Sequence, residues 1–177
     1  MAAVAPAIGE SGEAFVRAVR ERDGAKVEEL LQGSGPTLIN AKDVNGDTAL
    51  MVAVSRRDSV WTAFLLSNGA DPNLANRKGE TPLIAAARIG YLQGAEWLMI
   101  RRARVDEANR MGETPLIVAV QARQAPLVKY LLSKGANPDK TDNAAGYSAR
   151  DYAKRDNRNP ELLKLIEAAR KPATAAR

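Results

Sequence analysis

The 177-residue chain contains no cysteine and no histidine. The first absence excludes disulfides, thiolate nucleophiles and Cys-based zinc sites. The second removes the commonest general base and the commonest metal ligand. A Ser-His-Asp triad or a His-rich metal centre cannot be built from what remains, and neither a P-loop nor a glycine-rich nucleotide fingerprint is present. No catalytic residue, metal ligand or cofactor is expected, so the chain is read as non-enzymatic. Aromatic residues are scarce, at 5 %. Packing falls to alanine and leucine, which favours helix over sheet. No run approaches the ~18 consecutive apolar residues of a membrane span.

Apolar residues make up 45 % and charged residues 27 %. This composition is close to that of average soluble domains, and the length suits one compact domain. The formal charge is +5 and the pI about 9.6. Such a balance fits a soluble protein with a slight arginine excess, and it also fits an acidic partner.

The chain repeats itself. Residues 46–54 read GDTALMVAV, 79–87 GETPLIAAA, 112–120 GETPLIVAV and 146–154 GYSARDYAK. Thr48, Thr81 and Thr114 are evenly spaced, and Ser148 follows one position later than the same step would place it. A second word keeps that step: FLLSNGADPN at 64–73, WLMIRRARVD at 97–106 and YLLSKGANPD at 130–139. Five units are expected, at 13–42, 43–75, 76–108, 109–141 and 142–170. Residues 1–12 are expected to be a flexible N-terminal segment and 171–177 a disordered C-terminal tail.

Each unit reads as a helix, a tight turn, a second helix and an extended loop. Gly79 supplies a permissive turn, Thr81 a cap, and Pro82 a residue suited to the first helical position. Gly90 ends the short helix in the left-handed conformation. Neither helix is long enough to stand alone in water, so the units must stack. Gly, Thr, Pro and the small alanines are geometry residues, with no ligand role.

These words, and their period of about 33 residues, resemble the ankyrin repeat. The likeness covers roughly residues 13–170 and is strongest in the three middle units. It implies an all-α solenoid of about five helix-turn-helix units with extended loop fingers, serving as a protein–protein interaction scaffold. The histidine usual after T-P-L is replaced by Met51, Ile84 and Ile117, so apolar contact is expected where a polar link usually sits. Arg57 and Arg123 stand in the place of Gly90, where a left-handed residue costs about 1 kcal/mol unless the turn is remodelled. Arg102 replaces the glycine seen at Gly69 and Gly135, which suggests an altered second turn in the third unit. Arg150 stands where leucine normally packs, as a capping unit with a solvated face would have it.

In the family, binding positions flank the turn glycine and follow the paired alanines. Carried onto this chain, they are Val44, Asn45, Asp47, Ser55 and Arg56; then Arg77, Lys78, Glu80, Arg88 and Ile89; then Arg110, Met111, Glu113, Gln121 and Ala122. Arginine and methionine are enriched at interfaces, and arginine grips carboxylates in bidentate fashion. The expected partner is a protein, with acidic character. A solvated charged face without a dedicated partner is the bland alternative. Nucleic-acid or other polyanion binding through the Arg/Lys face is the rival function, and interspersed Asp and Glu argue against it. A monomer is expected.

Phe64, Trp97 and Tyr130 keep the same step and should form a column on the second helices. Packing explains them, and an aromatic ligand stripe is the other reading. Trp61 breaks this pattern and is a candidate for partial exposure. The IRRAR cluster at 100–104 ends a second helix, where the helix dipole favours cations. The units look more like small stand-alone bacterial ankyrin-repeat proteins than like repeats attached to other domains. Together with the Ala-rich start, this points to a periplasmic protein whose signal has been trimmed, or otherwise a cytoplasmic one.

Overall fold

The computed structural model describes residues 8–34 and 36–169. Among them are ten α-helices and no strand. They pair as α1 (Ile8–Glu21) with α2 (Gly24–Ser34), α3 (Ala49–Ser55) with α4 (Ser59–Ser67), and α5 (Pro82–Ile89) with α6 (Leu92–Ile100). The series continues with α7 (Pro115–Gln121) and α8 (Ala125–Ser133), then α9 (Ala149–Arg155) and α10 (Pro160–Ala168). Odd-numbered helices pack on one another as an inner layer. From α4 onward the even-numbered helices do so as an outer layer. The result is an all-α repeat solenoid.

Local chemistry sets each inner helix. Thr48, Thr81 and Thr114 take extended backbone at the N-cap, and their hydroxyls accept from the N–H of Met51, Ile84 and Ile117. Ser148 does the same for Asp151, whose carboxylate returns to Ser148 and closes a capping box. Residues 49–54, 82–87 and 115–120 are buried without a break. A helix clamped between two neighbours and an outer layer has no solvent face along most of its length. Alanines 49, 53, 86, 87 and 119 permit that close approach. Met51, Ile84 and Ile117 sit in this core, so apolar packing does stand where a polar link was expected to be missing.

The turn between the paired helices keeps one geometry in four units. Arg22, Arg57, Gly90 and Arg123 have φ of 60°, 54°, 66° and 56°. In each case the next residue's N–H reaches back to the helix, as in Asp58 to Ala53 and Tyr91 to Ala86, both at 2.9 Å. The turns at Arg57 and Arg123 are not remodelled; they carry the strain. Arg102 likewise has φ 66°, and Ala103 N–H bonds Leu98 O at 3.0 Å, as Ala70 bonds Leu65 and Ala136 bonds Leu131. The third unit's second turn is thus unaltered by the loss of glycine.

Helix α1 begins at Ile8, so residues 8–12 are helical where a flexible segment was expected. Contact explains it: Ser11 is buried, and Gly12 lies so close to Ala41 and the Lys42 carbonyl that a methyl group there would touch both. Residues 1–7 and the tail at 171–177 lie outside the described residues. Arg150 meets Asp139, Nε to Oδ1 at 2.7 Å, and stays partly exposed on the last inner helix.

Candidate functional site

Between successive units the chain runs out in a finger and turns back into the next inner helix. Each turn is held by one side chain. Asp43 Oδ1 accepts from the N–H of Asn45 and Asp47 at 2.8 and 2.9 Å. Asn76 Oδ1 serves Lys78 and Glu80, Asn109 Oδ1 serves Met111 and Glu113, and Asp142 Oδ1 serves Ala145 and Gly146. These four residues recur once per unit at an even step. Their period is visible in the sequence, yet their role shows only once the turn is closed.

Fingers are joined by a backbone rung at each step. Arg77 N–H donates to Asn45 O at 3.3 Å, Arg110 to Lys78 O at 3.1 Å, and Asn143 to Met111 O at 2.8 Å. Gly46, Gly79 and Gly112 make the rungs possible. Their φ values are 76° to 79°, and a Cβ would stand 2.8–2.9 Å from the next finger's backbone nitrogen. A second ladder runs behind the fingers. Asn40, Asn73 and Asp106 accept from the N–H of Asp71, Arg104 and Asn137.

Seven candidate positions meet in one open hollow of about 800 Å³: Asn45, Asp47, Ser55, Arg56, Arg77, Lys78 and Glu80. Arg20, Met51, Val52 and Asn76 complete its wall. Arg20 is not legible from the repeat, because α1 stands further from its successor than the regular step. It pairs with Asp43 at 2.8 Å. The carboxyl of Asp43 is pressed upward by burial, but hydrogen bonds from Arg20 and the turn outweigh this and leave it below the ordinary aspartate value.

The other candidates lie elsewhere. Gln121 lines a second hollow of about 460 Å³ with Arg123, Tyr152, Arg155 and Arg158. Val44 and Met111 stand out at the fingertips, 64 % and 55 % exposed. Ile89 is half-buried against the core, so it offers less apolar contact than its position suggests. Ala122 is half-buried at the end of α7.

Charges on this face divide sharply. Glu80 is held by Arg88, Asp47 accepts from Asn76 Nδ2 at 2.9 Å, and Glu113 accepts from Asn109 Nδ2 at 2.7 Å. Arg56 donates to the Arg20 carbonyl, and Lys42 Nζ to the Ala75 carbonyl at 2.6 Å. Arg77, Lys78 and Arg110 are exposed, and among the described residues their side chains have no hydrogen-bond or ion-pair partner. The acids are occupied internally, and the fingertip cations are not.

Four of the aromatic residues, Trp61, Phe64, Trp97 and Tyr130, lie on the outer helices. Trp61 is half-buried and meets Phe64 edge-on, with ring centroids 5.4 Å apart. Trp97 and Tyr130 are also partly buried against the core, and no ring pairing joins them to Phe64 among the described residues. Of the three evenly spaced aromatics, Trp97 and Tyr130 pack against the core, whereas Phe64 stays 38 % exposed. No helix is long and apolar enough to cross a membrane, and no cluster of metal-ligating side chains occurs among the described residues.

A stacked two-layer helical solenoid with a ladder of fingers defines a repeat-scaffold protein. The family model described as ankyrin repeats (3 copies) matches residues 15–109 and 61–142, more than half of the chain. The chain belongs to the ankyrin-repeat family, whose repeats generally mediate protein–protein interaction. It is similar to a Caenorhabditis elegans transient receptor potential cation channel subfamily A member 1 homolog, 30 % identical over 66 % of this chain and 9 % of that protein. It is also similar to yeast oxysterol-binding protein homolog 1, 34 % identical over 43 % of this chain and 7 % of that protein. The Arabidopsis E3 ubiquitin-protein ligase XBAT33 is 32 % identical over 54 % of this chain and 18 % of its own length. The chain thus spans less than a fifth of these relatives. They share its repeats, and they do not show the narrower likeness to small bacterial proteins.

Proposed function

We propose that this chain is a non-enzymatic scaffold that binds a protein partner across its concave face and fingertips. One observation carries the reading: Arg77 and Lys78 stand unpaired in the hollow that gathers seven candidate positions, and Arg110 stands unpaired on the next finger. Cations left free beside acids that are internally bonded give the face a positive field suited to an acidic partner surface. The central inner helices α3, α5 and α7 offer little contact surface, being buried up to their last residues. Function therefore sits on the fingers and on the helix ends, at Ser55, Arg56 and Arg88.

The test is affinity capture from the source cells by the wild-type chain and by an Arg77→Glu, Lys78→Glu, Arg110→Glu variant of equal stability. A protein retained by the first and lost by the second places binding on this face. Identical retention by both removes the face from consideration.

A further inference from the structure

The fingertip row has a defined spacing, and that spacing carries information about the ligand. Val44, Arg77 and Arg110 occupy one register position on three successive fingers, one repeat apart. Asn45, Lys78 and Met111 occupy the next. Packed helices stand 8–10 Å apart, so equivalent fingertip positions advance by roughly 10 Å. An extended chain rises about 3.3 Å per residue and covers that step in about three residues.

The two guanidinium stems are held in place. Cγ of Arg77 lies 3.0 Å from where a Cβ on Gly46 would be, and Cγ of Arg110 stands 3.2 Å from the same point at Gly79. Each stem crosses the glycine of the preceding finger, and each backbone N–H is fixed in a rung. Side chains held this way lose less freedom on binding.

Resting on the reading above, we infer that the partner presents an extended acidic segment of the pattern apolar-x-x-acid-x-x-acid, lying along the fingertips. Its apolar residue sits on Val44. The two carboxylates meet Arg77, with Lys78 beside it, and Arg110. Met111 gives apolar contact next to the second acid. The intervening residues face Asp47, Glu80 and Glu113 and carry no negative charge. That alternation separates a peptide from nucleic acid. Each strand of duplex DNA places a charge about every 3.4 Å of helix axis, much closer than the fingertip step, which would set phosphates against those three acids. Stacking platforms are missing too: the fingers and inner helices of units two to four contain no aromatic residue.

The experiment is selection of random peptides displayed on phage against the full chain, with each enriched peptide synthesised and titrated. Peptides with acids three positions apart and an apolar residue three before them are the expected result. Arg77→Ser and Arg110→Ser should each weaken them about tenfold, as loss of a hydrogen bond to a charged group does. Moving the two acids to adjacent positions should weaken them similarly. Enriched peptides that need the fingertip arginines but lack spaced acids overturn this inference and leave the binding face standing. Peptides indifferent to both arginines, or no enrichment at all, overturn both. Tight, steeply salt-dependent binding of a short poly-dT oligonucleotide in place of peptides assigns the face to nucleic acid.

Discussion

Arginine forms two rows in this molecule, and they do different work. At the helix-to-helix turns, Arg22 reaches Asp58 at 3.1 Å, Arg57 donates to the Ile89 carbonyl, and Arg123 grips Asp156 at 2.6 and 3.1 Å. Each clasps the corresponding turn of the next unit. At the fingertips, Arg77 and Arg110 point to solvent. Where the following unit offers an acceptor, the charge becomes part of the stack; where it does not, the charge remains available. Gln124 shows the reverse arrangement, since its side chain fills the space that a Cβ on Gly90 would need.

Glycine divides the same way. At Gly46, Gly79 and Gly112 it is required twice over, for its positive φ and for the neighbouring backbone; at Gly69, Gly135 and Gly146 only the φ matters, because nothing lies within 4 Å. The largest expected effect breaks this contrast. Gly79→Ala should destabilise by about 2–4 kcal/mol, combining left-handed strain with a clash against the Arg110 nitrogen. Gly135→Ala should cost only about 1 kcal/mol. Urea denaturation of both variants decides it, and equal losses would mean that conformation alone explains the finger glycines.

Next in size is a gain. Arg102 carries the same strain and its side chain has no partner among the described residues, so Arg102→Gly should stabilise by about 1 kcal/mol. Arg123→Gly should gain less, because it gives up Asp156. Thermal or urea midpoints of the two variants sharpen the distinction between a strained arginine that is bonded and one that is not.

A smaller effect separates the end fingers from the central ones. Asp43 and Asp142 hold the end turns, whereas Asn76 and Asn109 hold those between them. Burial pushes the Asp142 carboxyl up, but hydrogen bonds from Tyr152 and the turn N–H groups prevail and leave it lowered, as at Asp43. A folded-state pKa below the unfolded value of about 3.9 stabilises above that pH and is lost as pH falls through the folded value. Asp43→Asn with Asp142→Asn keeps the turn acceptors. Its denaturation midpoint should therefore fall less than that of wild type below about pH 4. An unchanged acid profile would assign the loss to other carboxylates.

Much of this is readable in the sequence. The threonine caps, the glycine at position 90 and the two-word period each follow from local chemistry and recur in register. Charge pairing is not readable in that way. Whether an arginine is bonded depends on what stands one unit later, and that step is regular in the middle of the stack but longer at its start. Arg20 and the Arg22–Asp58 pair fall in that irregular region. Burial of Ile89 escapes the sequence for another reason: its place at the end of α5 identifies an exposed turn, but not the core side chains packed beneath it.

The most direct test compares two variants of equal charge, Arg77→Ser/Arg110→Ser at the fingertips and Arg22→Ser/Arg123→Ser at the turns, each titrated with one peptide selected on the wild-type chain. The account predicts that the first loses about a hundredfold in affinity with an unchanged urea midpoint, and that the second keeps its affinity with a lowered midpoint. Equal loss of binding in both would show that overall positive charge, and not the fingertip row, attracts the ligand.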